Sequence, residues 1–158
     1  MPDFGALEKK IGFSFKEKEL LEEALTHRSY LNENPSADHS HNERLEYLGD
    51  AVLELIVTED LFRRFPKSFE GQLTVLRAAL VNYQMLARVA SGFELEKFIL
   101  MSRGESRDSG KAKEVILANA IEALIGAMYL DQGSEPTKRF IEAFVLPRLD
   151  EVLKNKSY

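Results

Sequence analysis

The stretch HNERLEYLGDAVLELIV, residues 41–57, most restricts how this chain can fold. Apolar residues recur at helical spacing from about Asn42 until Pro66 ends the pattern, which predicts one long helix reaching Phe65. The acids of this helix share an arc of about 80° when each residue turns the helix by about 100°. These acids are Glu43, Glu46, Asp50 and Glu54. Apolar residues fill the remaining surface, so we expect a buried helix with one narrow acidic stripe.

A second helix is predicted between residues 114 and 131, ending at Gly133, and it is still more apolar. Between Val115 and Tyr129 its only polar side chains are Asn119 and Glu122, which lie one turn apart on the same face. A buried carboxylate needs a neutralising partner, because leaving its charge unpaired costs on the order of several kcal/mol. Arg44 is the only cation between positions 42 and 60, and positions 114–131 contain none.

Two facing acidic stripes form an oxygen-rich pocket that suits a hard divalent cation such as Mg²⁺. The chain contains no cysteine, so any metal ligands must be oxygen or imidazole groups. Carboxylates around Mg²⁺ are suited to phosphodiester hydrolysis, because the ion activates water and screens phosphate charge. Gly49 and Gly126 each cost about 1 kcal/mol relative to Ala inside a helix. We therefore expect them where two helix backbones approach closely.

The remaining pattern predicts more helices and no strands. We expect helices at 17–26 and 71–91, the second capped by Gly92, and a last helix that begins near Ser134 and Pro136 and bends at Pro147. Segments 31–40 and 101–111 are rich in small polar residues and are predicted to be loops. The fold class is therefore all-α, with a single domain.

Composition limits the classes of protein that remain. Hydrophobic residues make up 44% and charged residues 30% of the 158 positions, the balance of a soluble globular domain. No apolar run has the length of a membrane span and the N-terminus lacks a signal-peptide core, so we expect a cytoplasmic protein without membrane contact. The net charge of −5 does not favour nucleic-acid binding, which usually requires a basic surplus.

The motif NERLEYLGDAVLEL closely resembles the signature of the ribonuclease III family, and ILANAIEALIGAMYLDQG resembles that family's second acidic block. IGFSFKEKELLEEALTHRSY and RFPKSFEGQLTVLRAALVN resemble two further segments, so the resemblance covers nearly the whole chain. It implies a helical endonuclease domain that acts in RNA processing by cutting double-stranded RNA. It also implies Mg²⁺ as cofactor, with Mn²⁺ as a substitute, a homodimer with two active sites along one valley, and 5′-phosphate and 3′-hydroxyl products.

The resemblance also implies roles for individual residues. Glu46 and Glu122 correspond to metal ligands, and Asp50 to the residue that orients or activates the attacking water. Glu43 and Glu70 correspond to accessory acids that line the family's valley. Tyr47 stands where the family usually has a Phe that inserts into a socket on the partner subunit.

The sequence departs from the family pattern at two places. Asn119 occupies the position of a fourth acid, usually Asp; its amide oxygen can coordinate Mg²⁺ but brings no charge, so binding should weaken. The chain ends at RLDEVLKNKSY, so we expect residues 1–158 to form the endonuclease domain without the family's usual C-terminal double-stranded-RNA-binding domain.

Other interpretations remain open at this stage. The first acidic stripe alone is also typical of a solvated helix edge, and Asn119 with Glu122 of a buried hydrogen-bonded pair. A non-catalytic RNA-binding or assembly module is the first alternative function, favoured by Asn119. A helical phosphohydrolase acting on small nucleotides is the second, although such sites commonly use His ligands, and only His41 lies near these acids.

Several residues are not assigned to the site. The three histidines, His27, His39 and His41, are expected to be caps or loop residues. The cations of the 101–113 region are expected to be solvated, although they could contact phosphates; they are Arg103, Arg107, Lys111 and Lys113. Five phenylalanines are expected in the core: Phe62, Phe65, Phe69, Phe93 and Phe98.

Overall fold

The structure, a computed structural model, describes residues 2–37 and 39–155. Position 38 of the predicted loop and positions 156–158 of the predicted domain lie outside the described residues. The helices are α1 (Phe4–Ile11), α2 (Lys18–Ala24), α3 (Arg28–Glu33), α4 (Glu43–Arg64), α5 (Glu70–Val81), α6 (Tyr83–Gly92), α7 (Arg103–Arg107), α8 (Lys111–Gln132), α9 (Ser134–Phe144) and α10 (Leu149–Asn155). Short 3₁₀ turns cover Leu95–Phe98 and Leu146–Arg148. Within the described residues there is no β-strand, only one isolated bridge between Thr26 and Leu100, so the all-α prediction is confirmed.

The two long helices predicted from the acidic motifs, α4 and α8, pack against each other at the centre. Helices α2, α6 and α9 cover other sides of α8, while α5 packs on α4. As a result α8 is enclosed, and Ile121, Leu124 and Ile125 are completely buried. No helix of the described residues is long and apolar enough to cross a membrane.

Local boundaries differ from the prediction where side-chain caps decide them. The predicted helix 71–91 is two helices, because Asn82 is extended and its side chain accepts a hydrogen bond from the Met85 amide (2.9 Å). Ser102 starts the short α7 inside the predicted 101–111 loop. Gly92 is the last residue of α6 rather than its cap. The predicted start at Ser134 is confirmed, but the last helix does not bend at Pro147: α9 ends at Phe144, and the 3₁₀ turn that contains Pro147 separates it from α10.

The prediction that five phenylalanines belong to the core is wrong for two of them. Phe93 and Phe98 are buried and Phe65 is partly buried, but Phe62 is 69% exposed and Phe69 is 80% exposed. Phe62 lies on a face of α4 that no described element covers, and Phe69 directly precedes α5. Helical spacing alone does not tell which apolar face meets the core of the same chain.

Helix α4 is therefore less buried than expected. Besides its acidic stripe it carries an exposed apolar stripe, with Tyr47 84% and Leu55 68% exposed. The stripe consists of Tyr47, Ala51, Leu55 and Phe62, at the four- and seven-residue spacing of one helix face. We call it the α4 apolar stripe.

Candidate active site

Two glycines allow α4 and α8 to meet backbone to backbone. A Cβ atom on Gly49 would lie 1.6 Å from the carbonyl oxygen of Glu122, and one on Gly126 would lie 2.3 Å from that of Leu45. Any larger residue would push the helices apart. The sequence prediction for both glycines is confirmed, and their contact brings the acids of α4 next to Glu122.

The carboxylates of the two helices form one cluster at this crossing. Glu122 is half-buried, and its carboxyl group lies close to that of Asp50. Burial raises the pKa of Glu122 from 4.5 to about 9, and hydrogen bonding with Asp50 and the charge of Asp50, followed by the charges of Glu46 and Glu54, act in the same direction. Glu122 therefore favours its protonated form at neutral pH.

The side chain of Glu46 is half-buried in the cluster. Burial raises the pKa of its carboxyl group, and the neighbouring charges of Glu43 and Asp50 raise it further. Asp50 itself is exposed at the mouth of the site. The cluster therefore combines two half-buried carboxyl groups, those of Glu46 and Glu122, with one acid, Asp50, that solvent can reach.

The outer acids of the stripe have cationic partners. Glu43 lies 3.5 Å from the guanidinium of Arg28, and both side chains are exposed. Glu54 forms an ion pair with Arg77 of α5 (3.1 Å), which also donates a hydrogen bond to Thr58 (2.9 Å). Neither Arg28 nor Arg77 was predicted from the sequence, because each is distant along the chain from the acid it neutralises.

The donor set of the cluster fits a hard divalent cation. Glu46, Asp50 and Glu122 supply its carboxyl oxygens, the atoms that such a cation prefers, and burial with the neighbouring acids raises the pKa of Glu122. Across the described residues, no three Asp, Glu or His side chains are grouped as one metal ion would require. Binding would therefore need Glu122 to release its proton and the carboxylates to turn toward a common point.

Asn119 lies on α8 one turn before Glu122 and is half-buried. Among the described residues its side chain makes no hydrogen bond, so the alternative of an Asn119–Glu122 pair is not observed; Glu122 instead contacts Asp50.

Glu70 is not part of the cluster within a single chain. It is the first residue of α5 and lines a cavity of about 470 Å³ with Thr58, Phe62 and Arg77. Thr58 lies eight residues beyond Asp50 on α4, which corresponds to about 12 Å along the helix. Glu70 therefore lies toward the far end of α4, beside the α4 apolar stripe.

Most of the residues left unassigned occupy the expected places. His27 caps α3 by accepting a hydrogen bond from the Ser29 amide (3.2 Å), and His39 contacts the hydroxyl of Thr26 (2.9 Å). Lys113 departs from the expectation of a solvated cation. It is 6% exposed and binds Glu96 (2.8 Å) and the backbone oxygen of Ser106 (3.2 Å), so it fixes α7 against α8.

Fold and site together define an all-α protein whose two longest helices share one carboxylate cluster. Comparison with known proteins places this arrangement in a family. The sequence model of the ribonuclease-III-like family matches residues 17–149, and the chain belongs to this family.

Relatives and solved structures agree with that assignment. The chain is 46% identical over 148 residues to "Ribonuclease 3" of Geobacillus kaustophilus and 44% identical to that of Bacillus cereus strain G9842. Each alignment covers 94% of this chain and 60% of the relative, so the chain spans about 60% of the length of these curated relatives. The nuclease domain of ribonuclease III from Campylobacter jejuni superposes with a TM-score of 0.83 at 44% identity, covering 92% of this chain and 97% of that one. Dicer from Pichia stipitis gives 0.64 at 26% identity, covering 90% and 60%.

Proposed function

We propose that this chain is the endonuclease domain of an enzyme that hydrolyses double-stranded RNA in RNA processing, leaving 5′-phosphate and 3′-hydroxyl ends. The single observation that carries the proposal is the carboxylate cluster at the α4–α8 crossing. Its acids come from the two segments that resemble the family's acidic blocks. Relatives named ribonuclease 3 support the reaction class.

A divalent cation completes the proposed site, with Mg²⁺ as the expected ion and Mn²⁺ as its substitute. Glu46, Glu122 and the amide oxygen of Asn119 would hold it. When bound, such an ion supplies an activated water and screens negative charge on the phosphate. The proton that Glu122 favours at neutral pH would be displaced by the incoming cation, because the cation and the proton compete for the same oxygens.

The remaining acids orient water and shape the entrance. Asp50 is the exposed member of the cluster, so it is the group placed to orient the attacking water. Glu43, held near Arg28, lies at the outer end of the stripe and acts as an accessory acid. Glu54 is held by Arg77 at the inner end of the stripe, where its charge still adds to the repulsion at Glu122.

We propose that the working unit is a homodimer formed through the α4 apolar stripe. Tyr47, Leu55 and Phe62 expose most of their surface, and an exposed apolar face is typical of an interface. Tyr47 would insert into the partner, with its hydroxyl at the wet edge of the interface. Glu70 lies beside this stripe and away from the carboxylate cluster of its own chain. Dimer formation would therefore bring it into the same valley as the acids of the cluster. One of the Campylobacter jejuni structures is described by flexibility in a region involved in dimer formation, which supports this assembly.

Glu122→Gln is the decisive test of the nuclease proposal. The substitution removes the carboxylate while retaining size, so cleavage of a duplex RNA with Mg²⁺ should fall by at least about 100-fold, the scale expected when an electrostatic group of a site is lost. Denaturing gel analysis of end-labelled duplex measures the rate and identifies the ends. Glu59→Gln, an acid of α4 outside the cluster, is the matched control and should cleave like the parent.

The two alternatives predict different results in the same assay. Duplex binding without cleavage at any Mg²⁺ or Mn²⁺ concentration would support the non-catalytic module, which the neutral Asn119 favours. Hydrolysis of free nucleotides but not of duplex would support the small-molecule phosphohydrolase. The cytoplasmic location expected from the sequence remains a prediction, which microscopy of a tagged chain in its host would test.

A further inference from the structure

A cavity of about 550 Å³ lies between the C-terminal end of α1 and one face of α9, away from the carboxylate cluster. Lys9, Lys10 and Arg139 line it, and no carboxylate is among its described lining residues. We call it the basic cleft. The charged residues of this lining are all cationic, whereas the chain as a whole has a net charge of −5.

Two of the three cations are available for a ligand. Lys10 is paired with Glu94 (2.7 Å) and lies 5.9 Å from the ring centre of Phe98, so its charge is already balanced. Within the described part of the chain, Lys9 and Arg139 form no ion pair, and both are exposed. They therefore provide two positive charges at the rim of one cavity.

The wall of the cleft behind these cations is apolar, and its side chains are fixed by packing and by a hydrogen bond. Phe13 and Phe140 line the cleft at 7% and 3% exposure, and the half-buried Phe144 packs against Phe140 with ring centres 5.1 Å apart. Gln132 donates a hydrogen bond to the backbone oxygen of Ser14 (2.7 Å), which joins the end of α8 to the opposite side of the cleft. Phe144 is the ring with surface left for a flat ligand.

From this combination we propose that the basic cleft binds a nucleoside 5′-phosphate, with the phosphate at Lys9 and Arg139 and the base against Phe144. The volume falls in the range of small-ligand sites, and a cationic rim beside an aromatic surface matches an anion attached to a flat ring. The ligand is either a free nucleotide or the 5′-phosphorylated terminal nucleotide of an RNA strand. The proposal goes beyond the nuclease site and does not depend on cleavage.

Binding is tested on the full chain in EDTA, so that no cleavage occurs. Adenosine 5′-monophosphate is titrated by calorimetry and by amide NMR, with adenosine and inorganic phosphate as separate probes. We expect saturable binding that shifts the amide signals of Gly12, Ser14 and Ala143, and at least about tenfold weaker binding of either partial ligand. The double variant Lys9→Met with Arg139→Met should lose at least about tenfold in affinity, since charge-assisted hydrogen bonds are of this size.

Lys138→Met is the matched control, because Lys138 is the neighbour of Arg139 on α9 but does not line the cleft. Equal weakening by Lys138→Met, or no saturable binding by the parent chain, would overturn the proposal. If a 5′-phosphorylated RNA tetranucleotide binds more tightly than adenosine monophosphate, the ligand is the end of an RNA strand. If the monophosphate binds more tightly, the ligand is a free nucleotide. Displacement of the monophosphate by an acidic peptide at lower concentration than by the oligonucleotide would instead assign the cleft to protein binding.

Discussion

Helices α4 and α8 each contain 22 residues, each contributes acids to one site, and each has a glycine at their crossing. Their environments are nevertheless different. Helix α8 is enclosed on nearly every side, whereas α4 has a core face, an acidic stripe and the exposed α4 apolar stripe. One helix is a buried support, and the other carries the working surface.

The same difference separates the two carboxyl groups that correspond to metal ligands. Glu122 projects from the enclosed helix, and burial raises its pKa to about 9. Glu46 projects from the more open helix, and burial with the charges of Glu43 and Asp50 raises its pKa as well. The cation proposed for the site would therefore compete with a proton at Glu122, so its binding should depend on pH.

Replacing the crossing glycines should have the largest effect on this arrangement. Gly49→Ala and Gly126→Ala each place a Cβ inside contact distance of the opposite backbone, so we expect a loss of about 3 kcal/mol or more in the free energy of unfolding. Denaturant titration followed by circular dichroism measures it. Gly71→Ala on α5 is the control, because its Cβ would meet no atom within 4 Å. Equal stability of the Gly49 and Gly71 variants would contradict the close crossing.

A charge placed on the exposed face of α4 should weaken the dimer without disturbing the fold of the single chain. Leu55→Asp places a charge in the proposed dimer interface, and we expect dimer dissociation to become at least about 100-fold easier, while the helical circular dichroism is retained. Sedimentation equilibrium measures the dissociation constant. Leu55→Met keeps the site apolar and should leave the dimer intact. A dimer that survives Leu55→Asp would mean that another surface joins the subunits.

The raised pKa of Glu122 predicts a pH dependence with a definite sign. Between about pH 4.5 and 9 the unfolded chain loses this proton and the folded chain keeps it. The free energy of unfolding in EDTA should therefore decrease as pH rises through this window, because the folded state binds more protons. Denaturant titrations at several pH values measure the slope, and Glu122→Gln should make it shallower. An unchanged slope in that variant would show that Glu122 is not the group responsible.

The sequence was sufficient for the parts of the fold that depend on local pattern. The helical period and the two glycines predicted α4, α8 and their close contact, and the acids on single faces predicted where carboxylates would gather. These features require only the geometry of a helix and the penalty for burying an unpaired charge.

Other features depend on which neighbour covers a residue. Phe62 and Phe69 have core-like spacing but lie outside the core, since the period of a helix does not say what each face meets. The break at Asn82 depends on a side-chain cap that competes with a good helical pattern. The pairing of Glu54 with Arg77 joins residues far apart in the chain, so no local signal reveals it.

Asn119→Asp gives the enclosed helix α8 a second acid at the site, as the open helix α4 already has several. Its effect on the protein should be the smallest of those predicted. A second acid one turn from Glu122 adds negative charge where a cation is proposed to bind, so Mg²⁺ affinity should increase by about tenfold or less and cleavage should rise with it. Calorimetric titration of Mg²⁺ and the duplex assay measure the two effects separately. Asn119→Ala, which removes the amide oxygen, should change both in the opposite direction. If Asn119→Asp alters neither affinity nor rate, position 119 is not a ligand, and the site on α8 is reduced to Glu122 alone.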